Sequence, residues 1–589
     1  MILERMKTVL ISVYDKNGIA DFAKALAEMG WAILASGGTC RHLREAGIDA
    51  HDVADMLLRS FVIQAQRGGI TFSEKSEDIP LMMARMREHG MDASAMLGHR
   101  VVTLSREVAA ALLARYLEAD LEELAKRGIP LIDMVVCDFY PLSEEVAKPD
   151  ATIESVIEKT DIGGPTMMRA AAKGGRIVVC DQADRQLVIK MLQAEGKVNE
   201  IVREYLRAKA EFTVASYCLD SARFHGQGEH DGILGRKAYY LAYGENRDQS
   251  PATLFFSSSS ADDPLAWDKF DVLAGEPSYI SMADGDRVLG VMSAMAESFR
   301  RNFSQLPFIA LICKHGNPCG AAIDWKDPAE ALIKALSGDP IAAMGGELMT
   351  NFPITQELGQ LLYAVPEELQ MSEKVGRKFW GMDVVYAPAV DSEIVTLLSK
   401  KEKRRVLVNP ALANPTLPPE EWMYRLMRGG FLKQKMPTYV FDFQKIHEFV
   451  GVLGAHELSG MLTDMIIAWA IAWHSVSNTV ALANKEMLIG LGCGQQDRIA
   501  CVQLALNRAC RAKHQITGSV CASDGFWPYA CRANDAGPLE GPELLVEVGC
   551  SACVVPADGK NLPAVKEYFE KHGIKVAFLA PEHRGFFGH

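Results

Sequence analysis

Apolar and polar positions alternate in a regular way over the first sixty residues. The stretch "KTVLISVY" (7–14) is strand-like, "GIADFAKALAEMG" (18–30) has helical apolar spacing, and "WAILAS" (31–36) is strand-like again. "GGT" then opens a second helical stretch, "CRHLREAG" (40–47), which leads into "IDAHDV". A strand–helix–strand pattern of this kind predicts an α/β fold with a parallel sheet.

Further along, residues 56–96 are rich in Met, Arg and Glu and are predicted to be mostly helical. "IDMVVCDFYPL" (132–142) is typical of a buried strand, and "TDIGGPT" (160–166) is a turn that leads into a helix. The apolar period is lost near Gly228 to Gly232, which predicts a domain boundary there. We therefore expect one domain over residues 1–230 and a second over 231–589, the latter built from two related α/β subdomains.

Composition narrows the class of protein. The 589 residues carry 62 Lys and Arg against 75 Asp and Glu, and the net charge of −13 predicts no nucleic-acid partner. Thirteen scattered cysteines favour reduced thiols and a cytoplasmic location. The start has no pattern typical of a signal peptide. The most apolar helical stretch is interrupted by Asp464 and His474, so we interpret it as a core helix and expect no membrane span.

Two glycine turns in the first half could bind an anion. In "SGGT" (36–39), two glycines between a strand and a helix let backbone amides converge near two hydroxyls, which suits a phosphate, although an ordinary tight turn has the same pattern. In "TDIGGPT" an acid precedes two glycines and a helix start. Asp161 is there either a helix cap or a catalytic carboxylate.

In the second half, Lys314 and His315 follow the apolar run "LPFIALIC". An imidazole can take a proton from a weak amine nucleophile, and an ammonium can stabilise an oxyanion. Neighbouring side chains of a strand point to opposite faces, so we expect the following Asn-Pro-Cys-Gly segment to form the turn that brings both inward. On residue pattern alone, a surface lysine beside a structural histidine is the alternative.

Several first-half motifs, in order, resemble a known family. "SVYDKNG", "ASGGT", "RVVTL", "VVCDFYPL" and "IEKTDIGGPTMMRAAAK" are similar to the IMP cyclohydrolase domain of the bifunctional AICAR transformylase/IMP cyclohydrolases. The resemblance implies a methylglyoxal-synthase-like fold that closes formyl-AICAR (FAICAR) to IMP. It implies that Tyr140, Asp161 and Lys173 serve ring closure and that nine residues bind the nucleotide: Lys16, Ser36, Gly37, Gly38, Thr39, Arg100, Thr103, Gly163 and Gly164.

The first half also departs from that family. Where the family has "RVKTLHP", this chain has "RVVTLSR", so Val102 replaces a lysine and Ser105 a histidine; Asp138 stands at a family asparagine. Two alternatives follow for this half: a degenerate nucleotide-binding module that leaves the chain a transformylase only, or a phosphate-ligand sensor that regulates the second domain.

The second half resembles the AICAR transformylase domain of the same family, which has a cytidine-deaminase-like fold. The motifs are "LAYGEN", "KHGNPCGAA", "SNTVALA", "GLGCGQQDRI", "SDGFWPY" and the ending "HRGFFGH". By this resemblance Lys314 and His315 are the catalytic pair and Asn478 orients the formyl group. Asp524 contacts the folate, Gln496 and Arg498 bind AICAR, and further ligand contacts come from Tyr243, Arg584, Phe587 and His589. Ala242 stands where the family has a phosphate-binding arginine, and Arg247 could supply the lost charge.

The resemblance implies 10-formyltetrahydrofolate as co-substrate, AICAR, FAICAR and IMP as ligands, a homodimer, and a structural monovalent cation. A zinc deaminase is a third alternative, since "GCSACVVP" contains Cys550 and Cys553 with two residues between them. A zinc deaminase also needs a Pro-Cys-x-x-Cys segment and an upstream His/Cys-x-Glu segment. The first of these is missing, so we expect no zinc and interpret these cysteines as buried thiols.

Overall fold

The computed structural model describes residues 6–68, 79–88, 101–257, 263–362, 381–400, 404–419, 422–436, 440–452, 454–534 and 537–585. The chain divides into two compact units, Met1–Leu234 and Gly235–His589, which we call unit 1 and unit 2. Each unit has its own sheet and its own hydrophobic clusters. We describe the two units separately.

Unit 1 is built on a five-stranded sheet of order β3-β2-β1-β4-β5. All its strand pairs are parallel, which confirms the predicted sheet. The strands are β1 Thr8–Ser12, β2 Ala32–Ala35, β3 Ala50–Asp52, β4 Met134–Cys137 and β5 Ile177–Val179. The helices are α1 Ile19–Glu28, α2 Gly37–Glu45, α3 Val53–Arg67, α4 Ile79–Glu88, α5 Arg106–Leu113, α6 Glu118–Lys126, α7 Leu142–Val146, α8 Ile153–Lys159, α9 Gly163–Lys173, α10 Gln182–Glu195 and α11 Glu200–Gly226.

The central strand β1 shows why this sheet is covered on both faces. Val9 and Ile11 belong to one buried cluster and Leu10 to the opposite one, because successive side chains of a strand alternate. Parallel sheets need helices on both faces, and their strands are therefore apolar throughout. In the predicted helical stretch 56–96, α3 and α4 are helical, Gly68 is a turn after α3, and positions 69–78 and 89–96 lie outside the described residues.

Unit 2 is built on a twelve-stranded mixed sheet of order β16-β21-β20-β19-β17-β18-β10-β9-β11-β12-β13-β8, with two separate hairpins, β6–β7 and β14–β15. The strands are β6 Arg236–Leu241, β7 Ala252–Phe256, β8 Asp271–Ala274, β9 Phe308–Lys314, β10 Asn317–Asp324, β11 Glu347–Thr350, β12 Val384–Ala387, β13 Arg405–Val408, β14 Trp422–Met427, β15 Gly430–Lys435, β16 Glu448–Val450, β17 Thr479–Asn484, β18 Met487–Cys493, β19 Val520–Ser523, β20 Ala552–Pro556 and β21 Lys575–Leu579.

The helices of unit 2 are α12 Tyr279–Phe303, α13 Pro328–Ser337, α14 Pro340–Ala343, α15 Gln356–Leu361, α16 Ser392–Ser399, α17 Ala455–His474, α18 Arg498–Arg511, α19 Gly541–Glu547 and α20 Leu562–Lys571. Short 3₁₀ turns occur at Trp267–Lys269, Pro410–Ala413, Phe443–Lys445 and Pro581–His583. Helices α12 and α17 contribute many side chains to the largest buried cluster of the unit, which also contains residues of the sheet. Among the described residues, helices long and apolar enough to cross a membrane were not found.

Two helix–hairpin–helix segments occur in unit 2 and meet at the centre of its sheet. In the first, α12 precedes the β9–β10 hairpin and α13; in the second, α17 precedes the β17–β18 hairpin and α18. Strand β10 pairs with β18 and thereby joins the hairpins. Gly492 of β18 lets α18 approach closely, since a Cβ there would lie 2.0 Å from the carbonyl oxygen of Cys501.

Asp464, the charge that interrupts the apolar helix α17, fixes the second hairpin. Its carboxylate accepts the backbone amides of Lys485 (3.1 Å) and Glu486 (2.8 Å), both of which have positive φ in the two-residue turn. Burial raises the pKa of Asp464 to about 7, and these two amides oppose the shift. The expectation of a core helix is confirmed, because α17 is buried from Met465 to Trp473.

Candidate active sites

The first candidate site lies where β1 and β2 end in unit 1. The hydroxyls of Ser12 and Ser36 are 2.9 Å apart. Thr39 is buried, and its hydroxyl contacts both the amide and the carbonyl of Val13. Thr39 therefore ties the second strand's turn to the first and presents little of its side chain to a ligand.

The two glycines of this turn begin α2 and leave room for a ligand. A Cβ at Gly38 would meet no atom of the described residues within 4 Å, and one at Gly37 would meet only the Asp52 carboxylate, at 3.8 Å. A cavity of about 520 Å³ is lined by both glycines and by Arg41 and Arg44 of α2.

Arg41 lies in the middle of the helix and adds positive charge to the cavity, whereas Arg44 is in the last turn, donates to the Ala50 carbonyl at 2.8 Å and lies near Asp55. Glu45 and Asp52 also line the cavity, so the amides at the helix start are the main support for anion binding. Sequence reasoning missed both arginines, although they lie within four to seven residues of the turn.

Lys16 and Asp138 lie together beyond the ends of β1 and β4. The Lys16 amine donates to the carbonyls of Val13 and Tyr14 (3.2 Å to Tyr14). The Asp138 carboxylate accepts the amides of Tyr14 and Asp15 (3.2 Å to Asp15). Burial lowers the pKa of Lys16 against the attraction of Asp138, and burial raises the pKa of Asp138. The departure at Asp138 thus supplies an acceptor that holds the β1 turn.

Asp161 forms the helix-capping contact that is one of its two predicted roles. Its carboxylate accepts the Gly164 amide at 2.9 Å, and its own amide donates to the Tyr217 hydroxyl at 2.6 Å. Thr103 lies at the same place, because a Cβ at Gly163 would be 2.6 Å from the Thr103 hydroxyl. Burial raises the pKa of Asp161. The structure thus brings together Asp161, Thr103 and both glycines of the turn.

Other predicted residues of unit 1 have different surroundings. Lys173 is the exposed last residue of α9, about 15 Å from its start at ~1.5 Å per residue. Tyr140 is 46% exposed, and its ring packs edge-on against Tyr14 at 5.3 Å. Arg100 lies outside the described residues.

The two positions where the family pattern is broken have structural roles here. Val102 is 5% exposed and belongs to a buried apolar cluster with Val108 and Leu112. The Ser105 hydroxyl caps α5 by accepting the Val108 amide at 3.1 Å. Valine therefore contributes to packing and serine to a helix start, where both residue types are favourable.

In unit 2, Lys314 and His315 lie at a tight hairpin. The expectation that Asn-Pro-Cys-Gly forms the turn is wrong: the turn is His315–Gly316, and Asn317 already pairs with Lys314 as the first residue of β10. His315 and Gly316 have φ of 54° and 71°, the pattern of a two-residue turn whose twist matches that of the strands. The turn therefore begins two residues earlier than expected.

The local contacts fix this hairpin from both sides. The Lys314 amine donates to the Met344 carbonyl at 3.0 Å, while the His315 side chain is exposed. Buried Asp284 of α12 faces the backbone amides of His315 and Gly316; burial raises its pKa, and His315 and these amides oppose the shift. The buried Asp284 carboxylate therefore holds the backbone that carries Lys314 and His315, just as Asp464 holds the turn of the second hairpin.

Glu347, on the strand next to β9, is the most perturbed acid near this hairpin. It is 7% exposed and lies opposite Cys313 in the sheet. Its Oε2 has no hydrogen-bond partner among the described residues. Burial, with repulsion from Asp284, raises the pKa of Glu347 to about 9. Sequence reasoning missed Glu347 and Asp284; their only signal was a charge within an apolar run.

Asn478 belongs to a polar cluster beside the hairpin. Its Nδ2 donates to the carbonyls of Gln495 (3.0 Å) and Gln496 (3.2 Å), and its Oδ1 accepts from Arg498 at 2.7 Å. The Arg498 guanidinium also donates to Ser523 at 2.8 Å and forms an ion pair with Asp524. The side chain of Gln496 is exposed, so its contact in this cluster is made by backbone.

The cluster is joined to the hairpin and to the C-terminal segment. The amide of Val476 donates to Asn317 Oδ1 at 3.3 Å, and the amide of Gly585 donates to the carbonyl of Asp524 at 2.8 Å. Arg584 forms an ion pair with Asp558 and lies over the Phe526 ring at 5.5 Å. The structure thus brings the predicted pair, Asn478 and the region of Arg584 to one part of unit 2.

The remaining predicted contacts lie elsewhere or cannot be placed. The Tyr243 hydroxyl accepts from Arg405 at 3.4 Å, and Arg405 also interacts electrostatically with Glu347. Arg247 is exposed. Phe587 and His589 lie outside the described residues. Within the described part of the chain, no group of three or more His, Cys, Asp or Glu is arranged to hold a metal. The structural monovalent cation stays a prediction.

Comparison with known proteins defines first a class and then a family. Residues 18–166 match the MGS-like domain, the class to which unit 1 belongs. Residues 171–508, more than half of the chain, match the AICARFT/IMPCHase bienzyme family. The chain is a member of the AICARFT/IMPCHase bienzyme family.

Individual relatives agree with this assignment. Two proteins named bifunctional purine biosynthesis protein PurH are each 28% identical: that of Chlorobium phaeobacteroides over 599 residues (98% of both chains), and that of Caldicellulosiruptor bescii over 588 residues (98% of this chain, 99% of that one). Among solved structures, the crystal structure of ForH shares 29% identity, covering 38% of this chain and 99% of that chain, with a TM-score of 0.28. That TM-score is too low to support an argument about the fold.

Glu347 gives a pH prediction for stability. A carboxyl whose pKa is about 9 in the folded chain and about 4 unfolded binds its proton more tightly when folded. The free energy of unfolding therefore falls as pH rises between these values, by at most ~1.4 kcal/mol per pH unit. Glu347→Gln removes this slope, so the variant should gain stability relative to the native chain from pH 6 to pH 8, measured by urea unfolding.

Glu357→Gln is the matched control, since Glu357 is an exposed carboxylate in the same unit. Its free energy of unfolding should differ from that of the native chain by a constant amount over the same pH range. If the Glu347→Gln curve also runs parallel to the native curve, the Glu347 carboxyl is ionised in the folded state and the assignment is wrong.

Proposed function

We propose that unit 2 transfers the formyl group of 10-formyltetrahydrofolate to AICAR, giving FAICAR, and that unit 1 closes FAICAR to IMP. The family pairs these two activities in purine biosynthesis, so we do not adopt the transformylase-only or sensor alternatives. The observation that carries the proposal is the position of Lys314, at the end of β9, and His315, in the fixed turn that follows, on a hairpin that the segment before Asn478 contacts through Val476. AICAR, FAICAR, IMP and the folate are the small-molecule ligands that this assignment implies.

In the proposed transfer, the AICAR amine attacks the formyl carbon while the His315 imidazole takes the amine proton. The negative charge that builds on the formyl oxygen is stabilised by the Lys314 ammonium, which its contact with the Met344 carbonyl positions. The imidazolium of His315 then gives this proton to the folate nitrogen, which leaves as the tetrahedral intermediate collapses and the C–N bond to the folate breaks. Asn478 would orient the reacting groups. Gly585, the residue after Arg584, donates its amide to the Asp524 carbonyl, so Arg584 lies close enough to this site to contact AICAR or the folate.

Replacing His315 by Ala tests this assignment. His315 is exposed and its backbone is held by the turn, so loss of the ring should leave the fold intact. Removing a general base lowers the rate by ~10²–10⁴-fold. We expect formyl transfer to fall by this factor in an absorbance assay of tetrahydrofolate formation, with AICAR affinity by calorimetry nearly unchanged. His572→Ala, which changes an exposed histidine elsewhere in unit 2, should be silent. Native-like turnover of His315→Ala would contradict the role.

For ring closure, we infer that Asp161, Thr103 and the 163–164 glycines form the reacting part of the site. The glycine turn at 36–38, with Arg41 and Arg44, would then bind the phosphate. This proposal is supported by the contacts of Asp161 and by the cavity beside Gly38. The position that carries a lysine in the family is filled by buried Val102, which has no charge for the developing oxyanion. Lys173, at the opposite end of α9, stays a predicted catalytic residue.

We therefore expect ring closure to be slow in this chain. Loss of one oxyanion-stabilising donor costs ~10²–10³-fold in rate. With FAICAR supplied directly, IMP formation followed by chromatography should be slower than FAICAR formation from AICAR and folate. Asp161→Asn should reduce it further and leave formyl transfer unchanged, which locates the activity in unit 1. If the native chain forms IMP as fast as it forms FAICAR, another group supplies the charge.

We propose further that the chain is a homodimer. Support comes from the β14–β15 hairpin, where Leu426 is 77% exposed and Met427 and Leu432 are each 55% exposed. Light scattering at micromolar concentration should give twice the 64.6 kDa chain mass. Leu426→Lys with Leu432→Lys should lower it, whereas Ile201→Lys, at an 83% exposed position of unit 1, should not. A native chain that scatters as a monomer with full activity would contradict the proposal.

A further inference from the structure

The two-residue turn that carries His315 has a partner for each of its four polar backbone groups. Burial raises the pKa of Asp284, whereas the amides of His315 and Gly316, which its carboxylate faces, oppose that rise. The side-chain amide of Asn317 donates to the His315 carbonyl at 3.1 Å. The Arg287 guanidinium donates to the Gly316 carbonyl at 3.4 Å. Both residues of the turn are therefore tied to the surrounding protein through their backbone.

Asp284 and Arg287 reach the turn from one face of α12. They are three residues apart, a spacing that places two side chains of a helix next to each other. Their charges are opposite, so the carboxylate meets the N–H groups of the turn while the guanidinium meets a carbonyl oxygen. Asp284 is buried and Arg287 is half-buried. One helix thus clamps the turn through both kinds of backbone group.

Gly316, the second residue of the turn, makes room for the guanidinium. A Cβ at this position would lie 2.9 Å from Cδ and 3.1 Å from Nη1 of Arg287, which is closer than an ordinary contact. The φ of 71° also favours glycine. The arginine side chain therefore lies directly against the turn, and this contact does not depend on the hydrogen bond alone.

The second central hairpin of unit 2 shows which part of this arrangement is added. Its turn, Lys485–Glu486, also has positive φ at both positions, and its two amides donate to Asp464 of α17. Three residues beyond Asp464, α17 carries the buried Ile467, and the second position of the turn is a glutamate. A carboxylate beside the turn is thus common to both hairpins. The guanidinium three residues further along the helix belongs to the hairpin that carries the proposed base.

We propose that Arg287 is a positioning residue for formyl transfer, which acts with Asp284 through the backbone of the turn and fixes the direction of the His315 imidazole. This assignment rests on the proposed function. The His315 ring is exposed, so its position depends on the backbone that carries it. Its φ of 54° lies in the left-handed region, which residues other than glycine adopt where their surroundings enforce it. A displacement of about 1 Å in a catalytic group can cost ~10²-fold in rate.

The first test compares Arg287→Met with Arg287→Lys. Methionine and lysine have side chains of similar length, but lysine alone can donate to the carbonyl that Arg287 contacts. We expect Arg287→Met to lower kcat for formyl transfer by ~10–100-fold, while KM for AICAR and for the folate changes by less than about threefold. Arg287→Lys should recover most of this loss, because the contact involves a single carbonyl oxygen and needs no planar fork.

The second test adds His315→Ala. In that background Arg287→Met should lower kcat no further, because a residue that acts through the His315 ring has nothing left to position. Arg300→Met is the matched control. Arg300 lies on the same helix and donates to the Pro415 carbonyl at 2.7 Å, so the change removes a comparable bond to backbone and should leave kcat at the native value.

The two hairpins provide a further pair of variants, which also serves if Arg287→Met does not fold. Asp284→Asn and Asp464→Asn remove the same charge beside the two turns. Asp284→Asn should lower kcat with little change in KM, and this loss should also disappear in the His315→Ala background. Asp464→Asn should leave kcat at the native value.

Several outcomes would overturn the proposal. An Arg287→Met variant that chiefly raises KM, or whose loss multiplies with that of His315→Ala, would show that the guanidinium contacts a substrate directly. Native kcat in Arg287→Met, no recovery in Arg287→Lys, or an equal loss of kcat in Asp464→Asn would each contradict the positioning role. These results are distinct from failure of the proposed function, in which the native chain transfers no formyl group or His315→Ala keeps native turnover.

Discussion

The ion pair between Arg498 and Asp524 is the interaction on which the candidate site of unit 2 depends. Both charges are withdrawn from water, Asp524 completely, and a buried pair is tolerated only when its remaining valences are filled. Here Ser477, Ser523 and Asn478 fill them. Ser477 and Asn478 precede β17, Arg498 begins the helix after β18, and Ser523 and Asp524 lie at the end of β19. The pair therefore fixes the relative positions of three segments that local structure alone would leave free.

A second device holds the turns themselves. Each central hairpin of unit 2 ends in a two-residue turn with positive φ at both positions, and a buried aspartate from the packed helix faces the two amides of that turn. The cost of burying each acid appears as its raised pKa. In one hairpin the turn carries His315; in the other it carries Lys485 and Glu486. The same backbone arrangement thus carries the proposed catalytic histidine in one hairpin and two other charged residues in the second.

Unit 1 solves a related problem at the ends of parallel strands. Turns that follow β1, β2 and β4 must bring polar groups together above an apolar sheet. Asp138 accepts the amides after β1, Thr39 ties the β2 turn to Val13, and Asp161 accepts an amide at the start of α9. Each polar side chain named here has a backbone partner, which is what limits the cost of burying it. As a result, few of these polar groups remain free to bind a ligand.

Sequence by itself determined the parallel sheet of unit 1 and the core nature of α17, because periodicity is a local property. Lys314, His315 and Asn478 were predicted as site residues only through the family resemblance, and their roles stay predictions. The predicted turn after Lys314 began two residues late, since the register of β9 against β10 is decided by pairing and not by the composition of the loop. Only the tertiary structure decided that Val102 is core, that Ser105 is a cap, and that Glu347 is a buried acid opposite Cys313. The orientation of Asn478 likewise depends on a guanidinium twenty residues away and on an acid beyond it. The direction and the charge of a polar side chain are set by neighbours that are distant along the chain, so only the folded structure defines them.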